Sequence, residues 1–579
     1  MKKSTLSLLL AIAMVLGLLA GCGTESPAAA EESPAPASEA PAEITETAEV
    51  PQENSQEEST AEAISEEAVV EAASRPDPVV LPLTEESVTL KCFNAMMPGS
   101  TLDGQEQVQG WKDIMEATGV TFAFTNTSME GASEKFNLMC SSGEYGDVVA
   151  GLVQFYTGGL TSALDAEIIT DLYNYEEYIP NFLYVLENDE DAMMQMLTDN
   201  GELSGFHAIK LEEDPNQNGL VVRKDYLDQV GYDYSGIEFG SFTYDDLNEM
   251  LYALKEEYDL TNTLWMSSGL SLMKHLENGF ETSAYTDRAK VPVYTVDGTV
   301  QFGPVTDGFK AYITLLHQWY EDGIISSDFA SAATEPEMGA VLNGTVACWY
   351  TAGSVVYTYM TSASDDFDLV YLPDPVSEDY QYVNTFYPRV QTTGYSITTT
   401  CSNPELACQF FDYLYSEEGQ IFSRFGTEGV TFEYDENGDP QYTELITDNP
   451  DGLTSTQAVT SYLMQACVTN WWDTSFAQTD YQMGAYEIWT SNDDHSTACA
   501  FPSCELNSEE TELVSQTYTD MMTYYNTTVA QFVTGDKDLE TQWQEYIDTM
   551  YSYNLEEIIA CYQDCYDRYQ ARGIVNIAK

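Results

Sequence analysis

The sequence predicts an α/β protein carried behind a disordered N-terminal tether. Three observations predict it. Strand-like alternation around Val88, Val120 and Asp147 recurs at about thirty-residue spacing with helical patterns between, the signature of a parallel sheet with right-handed crossovers. A chain of 579 residues that is 43% hydrophobic, with 40 Tyr and 23 Phe, is long enough for two domains of ordinary size. Residues 23–87 are Ala, Pro, Ser, Thr and Glu with almost no large apolar side chains, so burial cannot offset their ordering entropy.

The N-terminus comes first. Lys2 and Lys3 precede an apolar run from Leu6 to Leu19, too short for a comfortable transmembrane span, and small residues lead to a cysteine. Leu19-Ala20-Gly21-Cys22 resembles a bacterial lipobox, which implies a signal peptide over 1–21 and a diacylglyceryl group on Cys22. Two acyl chains anchor stably where one binds marginally. The alternative is an ordinary signal peptide with a chance cysteine. Residues 22–87 then form the lipidated cysteine and tether, a coil spanning on the order of 45 Å.

Order is expected from Val88. Val88, Leu90 and Cys92 alternate into Phe93-Asn94-Ala95-Met96-Met97; a helix follows over Trp111 to Ala117; Val120, Phe122 and Phe124 alternate again. A second helix is expected over Glu134 to Cys140, then a strand at Asp147-Val148-Val149-Ala150-Gly151-Leu152. Leu220-Val221-Val222 is a short strand, and Thr243 with Asp246 makes a capping box ahead of Leu247, Met250, Leu251 and Leu254. Val293 to Phe302 reads as a hairpin turning at Asp297-Gly298. Phe309, Tyr312, Ile313, Leu316 and Trp319 trace one helix face, which makes Trp319 a core residue. Val346 to Tyr350 is a strand, Asn403-Pro404 opens a helix, and the pattern from Leu539 onward is helical.

A net charge of −76 repels nucleic acid and anionic membrane surfaces, so neither is expected as a direct partner. Ten of the eleven cysteines remain once Cys22 is spent. An even set in an exported chain invites a disulfide reading, with close pairs at Cys401/Cys408, Cys499/Cys504 and Cys561/Cys565. Cys92 and Cys348 sit in apolar strand-like runs as buried thiols do, and the expectation is mostly free thiols.

Further stretches carry a resemblance. These are Ser142-Gly143-Glu144-Tyr145-Gly146-Asp147-Val148, Gly219-Leu220-Val221-Val222-Arg223-Lys224-Asp225-Tyr226-Leu227-Asp228 and Phe302-Gly303-Pro304-Val305. Trp319-Tyr320-Glu321-Asp322-Gly323, Tyr413-Leu414-Tyr415-Ser416-Glu417-Glu418-Gly419, Phe425-Gly426-Thr427-Glu428-Gly429 and Phe532-Val533-Thr534-Gly535 follow in order. Together, behind a lipobox, they resemble the family 1 extracellular solute-binding lipoproteins that serve ABC transporters for sugars. The resemblance implies a two-lobe periplasmic-binding-protein-like fold of type II. It implies lobe 1 over 88–218, lobe 2 over 219–366, a return to lobe 1 over 367–455 and a C-terminal helical region over 456–579 packing on both lobes. Residues 436–530 match nothing that can be placed.

A sugar presents apolar C–H faces and a ring of hydroxyls, which aromatic platforms and planar polar groups complement. Ligands of open α/β sheets bind outside the carboxyl ends of strands. Asn94, Met96 and Met97 follow the first strand, Phe155 and Tyr156 the third. Trp265 follows a helix of the second lobe, and Trp349 and Tyr350 end the strand from Val346, where related proteins place a stacking aromatic. Arg389 lies near the return crossing, and Trp471 and Trp472 fall in the unplaced region. A Trp in so aromatic a chain serves core as readily as platform, Arg389 serves an ion pair as readily as a ligand, and Asp147 is expected to fix a loop.

Enzymatic motifs are absent: the four histidines show no HExxH spacing, and there is no GxSxG elbow or P-loop. With 96 acids, a carboxylate pair carries no signal for glycoside hydrolysis. Asp435-Glu436-Asn437-Gly438-Asp439 has a misplaced glycine for a calcium loop, and Ile446 stands where the closing Glu belongs, so a hairpin turn is the better account. No catalytic residue, metal or cofactor is expected. The expectation is a monomeric, lipid-anchored protein on the outer face of the cytoplasmic membrane that captures a neutral carbohydrate by hinge closure and delivers it to ABC permease subunits. A carbohydrate sensor, a secreted carbohydrate-active enzyme and a peptide-binding protein are the alternatives.

Overall fold

Among the described residues, sixteen short strands carry the apolar alternation of the sequence. They are β1 (Val88–Met96), β2 (Val120–Ser128), β3 (Val148–Ala150), β4 (Phe206–Lys210), β5 (Asn218–Arg223), β6 (Leu264–Trp265), β7 (Val293–Val296), β8 (Thr299–Phe302), β9 (Cys348–Ala352), β10 (Leu369–Leu372), β11 (Val383–Asn384), β12 (Val390–Ile397), β13 (Phe432–Tyr434), β14 (Pro440–Tyr442), β15 (Val468–Thr469) and β16 (Thr497–Ala498). The computed structural model describes residues 74–576 apart from 97–101, 157, 212–216, 267–275, 285–290, 333–335, 365–366, 385–388, 465–466, 470–474, 476–477, 493–496, 500 and 503.

Two principal sheets define two lobes. The first is six-stranded, in the order β15-β4-β12-β3-β1-β2, and the second four-stranded, in the order β10-β5-β9-β6. In the first, β1 pairs parallel with β2 and β3, while β12 runs antiparallel between β3 and β4. Helices cover both faces, so adjacent residues of one strand enter different cores. Leu90 and Cys92 of β1 join Trp111, Phe122, Phe410 and Phe411 on one side, and Phe93 joins Phe136 and Phe155 on the other. Each such side chain fully removed from water stabilises by roughly 1.5–3 kcal/mol.

The second lobe follows the same logic. Leu220 and Val222 pack with the helices Tyr244–Tyr258 and Asp307–Glu321, and Val221 between them packs with Trp349, Tyr359 and Trp489 on the opposite face. Gly219 is required here: a Cβ would lie 2.2 Å from the Trp489 indole. The capping box at Thr243 and Asp246 is present, as is the Asn403 cap. Asp297 and Gly298, at φ 49° and 78°, turn the β7–β8 hairpin. The Asp435 stretch is the turn of the β13–β14 hairpin, where the Asp435 carboxylate accepts the N–H groups of Asn437 and Asp439.

Helices Ser508–Thr534, Leu539–Ser552 and Leu555–Asn576 lend Tyr525, Phe532, Tyr546, Met550 and Ile558 to the second-lobe core. They also reach the first lobe. Glu505 accepts the N–H groups of Leu160 and Thr161 at 2.7 and 3.0 Å, and Arg568 and Arg572 of the last helix pair with Asp199.

Two sequence-based boundaries shift. Contact with the first lobe begins before Val88: Arg75 pairs with Glu417 at 3.2 Å, Val79, Leu81 and Leu83 pack on its core, and Leu83 N–H donates to Thr118. Those three apolar residues recover burial that the rest of the tether composition lacks. The return expected at Phe367 is also early, because β10 pairs antiparallel with β5 and the chain re-enters the large sheet only at β12.

Candidate functional site

Strand directions fix where the lobes meet. The carboxyl ends of β1, β2, β3, β4 and β15 and the amino end of β12 share one edge of the large sheet. In the small sheet the amino end of β5 and the carboxyl ends of β6, β9 and β10 share one edge. The chain leaves the large sheet after β4 to enter the small sheet at β5, and leaves the small sheet after β10 to re-enter the large one at β12. After β15 it passes again to the helix Asp480–Trp489, which packs on β5 and β10. The connections between the lobes therefore leave the sheets mostly at strand carboxyl ends, the position where α/β sheets bind ligands.

The first-lobe wall is polar. Asn94 and Asn126 stand in register near the ends of β1 and β2, and the Asn94 amide donates to Asn126 Oδ1 at 3.2 Å and to Met96 Sδ at 3.2 Å. Asn126 Nδ2 donates to Glu106 Oε2 at 2.8 Å, the Gln105 N–H donates to Asn126 Oδ1 at 3.3 Å, and Lys135 Nζ donates to the Asn126 carbonyl at 3.0 Å. Two side-chain amides and a carboxylate thus converge, a donor–acceptor set suited to hydroxyl groups. Asn126 and Glu106 escaped the sequence reading. The signal that points to them is an asparagine near the end of each of two neighbouring strands, legible only once β1 and β2 are placed in register.

The sequence candidates divide. Asn94 and Met96 lie on this wall. Tyr156, half-buried, stands edge-on to Phe136 at 6.2 Å beyond the end of β3. Trp265, also half-buried, is the last residue of β6. Met97, Trp471 and Trp472 lie outside the described residues, as does Cys22.

Four candidates are corrected. Trp349 is 0% exposed and packs edge-on to Tyr359 at 5.3 Å, so it is a core residue. Both faces of β9 are covered, and its alternation sends Trp349 into one core and Cys348 and Tyr350 into the other. Tyr350 is buried accordingly, its hydroxyl donating to the Asn218 carbonyl at 3.4 Å beside the first crossing. Phe155 is buried between Phe93 and Phe136, at 5.3 and 5.5 Å. Arg389 is committed to the crossings: its guanidinium pairs with Asp189 and donates to the carbonyls of Lys210 and Leu211, binding the ends of β4 and β12 together. Asp147 fixes a loop, as expected, by accepting the N–H groups of Lys91 and Ser402, each at 2.6 Å. Trp319 is buried on its helix and donates to Asn248 at 2.7 Å.

This architecture defines a class, the two-lobe α/β binding proteins. Superposition gives a TM-score of 0.68 to the alginate-binding protein AlgQ2, at 17% identity over 84% of this chain and 99% of that one. An HMO-binding, ABC-transporter-associated solute-binding protein from Bifidobacterium longum infantis gives 0.69, at 16% identity over 83% and 99%. The substrate-binding protein FusA of Streptococcus pneumoniae in complex with kestose gives 0.66, at 19% identity over 84% and 100%. In sequence, the chain is 23% identical over 539 residues to the fructooligosaccharide ABC transporter substrate-binding protein FusA of Streptococcus pneumoniae, covering 86% of this chain and 94% of that protein. Residues 103–421 match the family model of the bacterial extracellular solute-binding proteins, and the chain belongs to that family.

Proposed function

We propose that this protein captures a neutral oligosaccharide between its lobes outside the cell and hands it to an ABC importer. The observation that carries the reading is the cluster of Asn94, Asn126 and Glu106 at the strand ends that face the crossings. Likeness along nearly the whole length of a fructooligosaccharide-binding relative supports it. A neutral ligand is favoured by the net charge of −76 and by the engagement of two arginines. Arg223 is held by Asp225 at 2.5 and 3.0 Å and stacked on Tyr226, and Arg389 is held by Asp189, so neither is offered to an anionic sugar.

The ligand touches both walls only when the lobes are shut, so binding shifts the population toward the closed state. Trp265 and Tyr156 supply flat faces from the two lobes. Cys22 carries the lipid anchor, the segment after it serves as a leash, and the protein works as a monomer. No helix among the described residues is long and apolar enough to cross a membrane. The role is capture without chemical change of the ligand.

The test is a thermal-shift screen of neutral and uronic oligosaccharides on the mature chain, followed by small-angle scattering with any hit. A ligand bound only by the folded state raises the melting temperature. The expected outcome is a rise with a neutral glycan and a contraction in radius of gyration. A rise with uronic glycans alone, or no contraction on saturation, overturns the reading.

A further inference from the structure

The ten described cysteines are all thiols, and two of them touch. Cys565, 0% exposed in the middle of the last helix, has its sulfur 3.1 Å from that of half-buried Cys504, across 61 residues of sequence. Neither belongs to the sugar-facing edge of the sheets. We infer that Cys504 and Cys565 are a disulfide site, closed in the exported protein. The inference rests on the extracellular setting of the proposed function, because disulfides persist in oxidising compartments.

The surroundings favour closure. Cys504 lies in the extended segment that leads to the cap at Asn507, and Cys565 lies on the helix that segment packs against. One turn past Cys565, Arg568 already fastens the last helix to the start of the helix that this segment leads into, donating bidentately to Glu510 at 2.7 and 2.7 Å. Glu505, next to Cys504, holds the amides of Leu160 and Thr161 in the first lobe. A bridge here welds that inter-lobe contact to the last helix.

The chemistry is thiol–disulfide exchange with a donor disulfide outside the cell. Cys504, half-buried where Cys565 is fully buried, loses its proton and attacks the donor, forming a mixed disulfide and releasing one donor thiol. Cys565, deprotonated in turn, displaces the second donor thiol. Two S–H bonds are lost and one S–S bond forms within the chain. The donor takes up two electrons and two protons as two thiols.

The experiment treats the full mature chain with oxidised glutathione, alkylates it under denaturing conditions and maps its peptides without reduction. The expected result is a linked peptide containing Cys504 and Cys565, two hydrogens lighter than the sum of its parts. A loop of this length constrains the unfolded chain enough to raise the melting temperature by about 5 °C over the reduced protein. Cys504→Ser abolishes the linked peptide, and Cys561→Ser, which removes the neighbouring thiol one turn earlier, retains it. Alkylation of both Cys504 and Cys565 after oxidation, or a link through Cys561, overturns the assignment. Mapping needs no sugar, so its failure and failure of the capture reading are separately observed.

Discussion

Trp349 of β9 stands directly opposite Val221 of β5 in the ladder of the small sheet, and both side chains enter one core with Tyr359 and Trp489. Trp349→Ala is therefore a stability mutation. It leaves a cavity the size of an indole and is expected to cost about 3–5 kcal/mol. Urea denaturation monitored by circular dichroism measures the loss, and a variant as stable as the parent returns Trp349 to the list of platforms.

Asn126 ties the first-lobe wall together, since its side chain meets Asn94, Gln105 and Glu106. Asn126→Ala deletes one hydroxyl partner and loosens the others, and glycan affinity is expected to fall by about tenfold or more. Trp265→Ala acts from the other lobe to a similar degree. Isothermal titration with the glycan found by the screen reads both, and unchanged affinity in both variants removes this edge from the site.

Glu277 is 0% exposed, with its Oε1 accepting the Ala284 N–H at 3.2 Å and its other oxygen without a partner among the described residues. Burial raises its pKa from 4.5 to about 8, and Asp374 nearby adds to the rise. The folded chain thus keeps a proton that the unfolded chain releases. Its contribution to stability is whole below pH 4.5 and is lost as the pH climbs through about 8, at up to roughly 1.4 kcal/mol per unit. Glu277→Gln flattens that decline. Denaturation midpoints at pH 5 and pH 8 should differ less in the variant than in the parent, and equal differences defeat the prediction.

Arg572 joins the last helix to the first lobe, donating to Asp199 at 3.1 Å, to the Met194 carbonyl at 3.2 Å and to the Leu197 carbonyl. Arg572→Met keeps the stem and strips the donors from a nearly buried guanidinium. The expected cost is about 2–4 kcal/mol, limited because Arg568 still meets Asp199. Differential scanning calorimetry decides it, and a loss below about 0.5 kcal/mol would mark the pair as a surface contact.

The elements that carried local signals were legible from the sequence. The capping box at Thr243, the Asn403-Pro404 start and the Asp297-Gly298 turn each depend on chemistry within a few residues, and each is present where expected. What pairs with what was less legible. Trp349 and Tyr350 adjoin in sequence yet enter different cores, and a single sequence cannot say that both faces of β9 are covered. Asn126 became visible only through its register with Asn94. The 27-residue helix Ser508–Thr534 runs out of the unplaced residues 436–530 and only its last turn, Phe532-Val533-Thr534, falls in a stretch that carried the resemblance, although Asn507 and Glu510 make a regular capping box at its start.

The place of β12 in the large sheet governs how the protein can be assembled. It lies between β3 and β4, which come much earlier in the chain and do not pair with each other. A nascent polypeptide that has emerged only as far as the second lobe holds a first lobe with its middle slot vacant and two raw edges exposed. Fragments ending before Val390 should be sticky and short-lived, and any split-protein version of this scaffold must deliver residues 390–397 with the N-terminal piece.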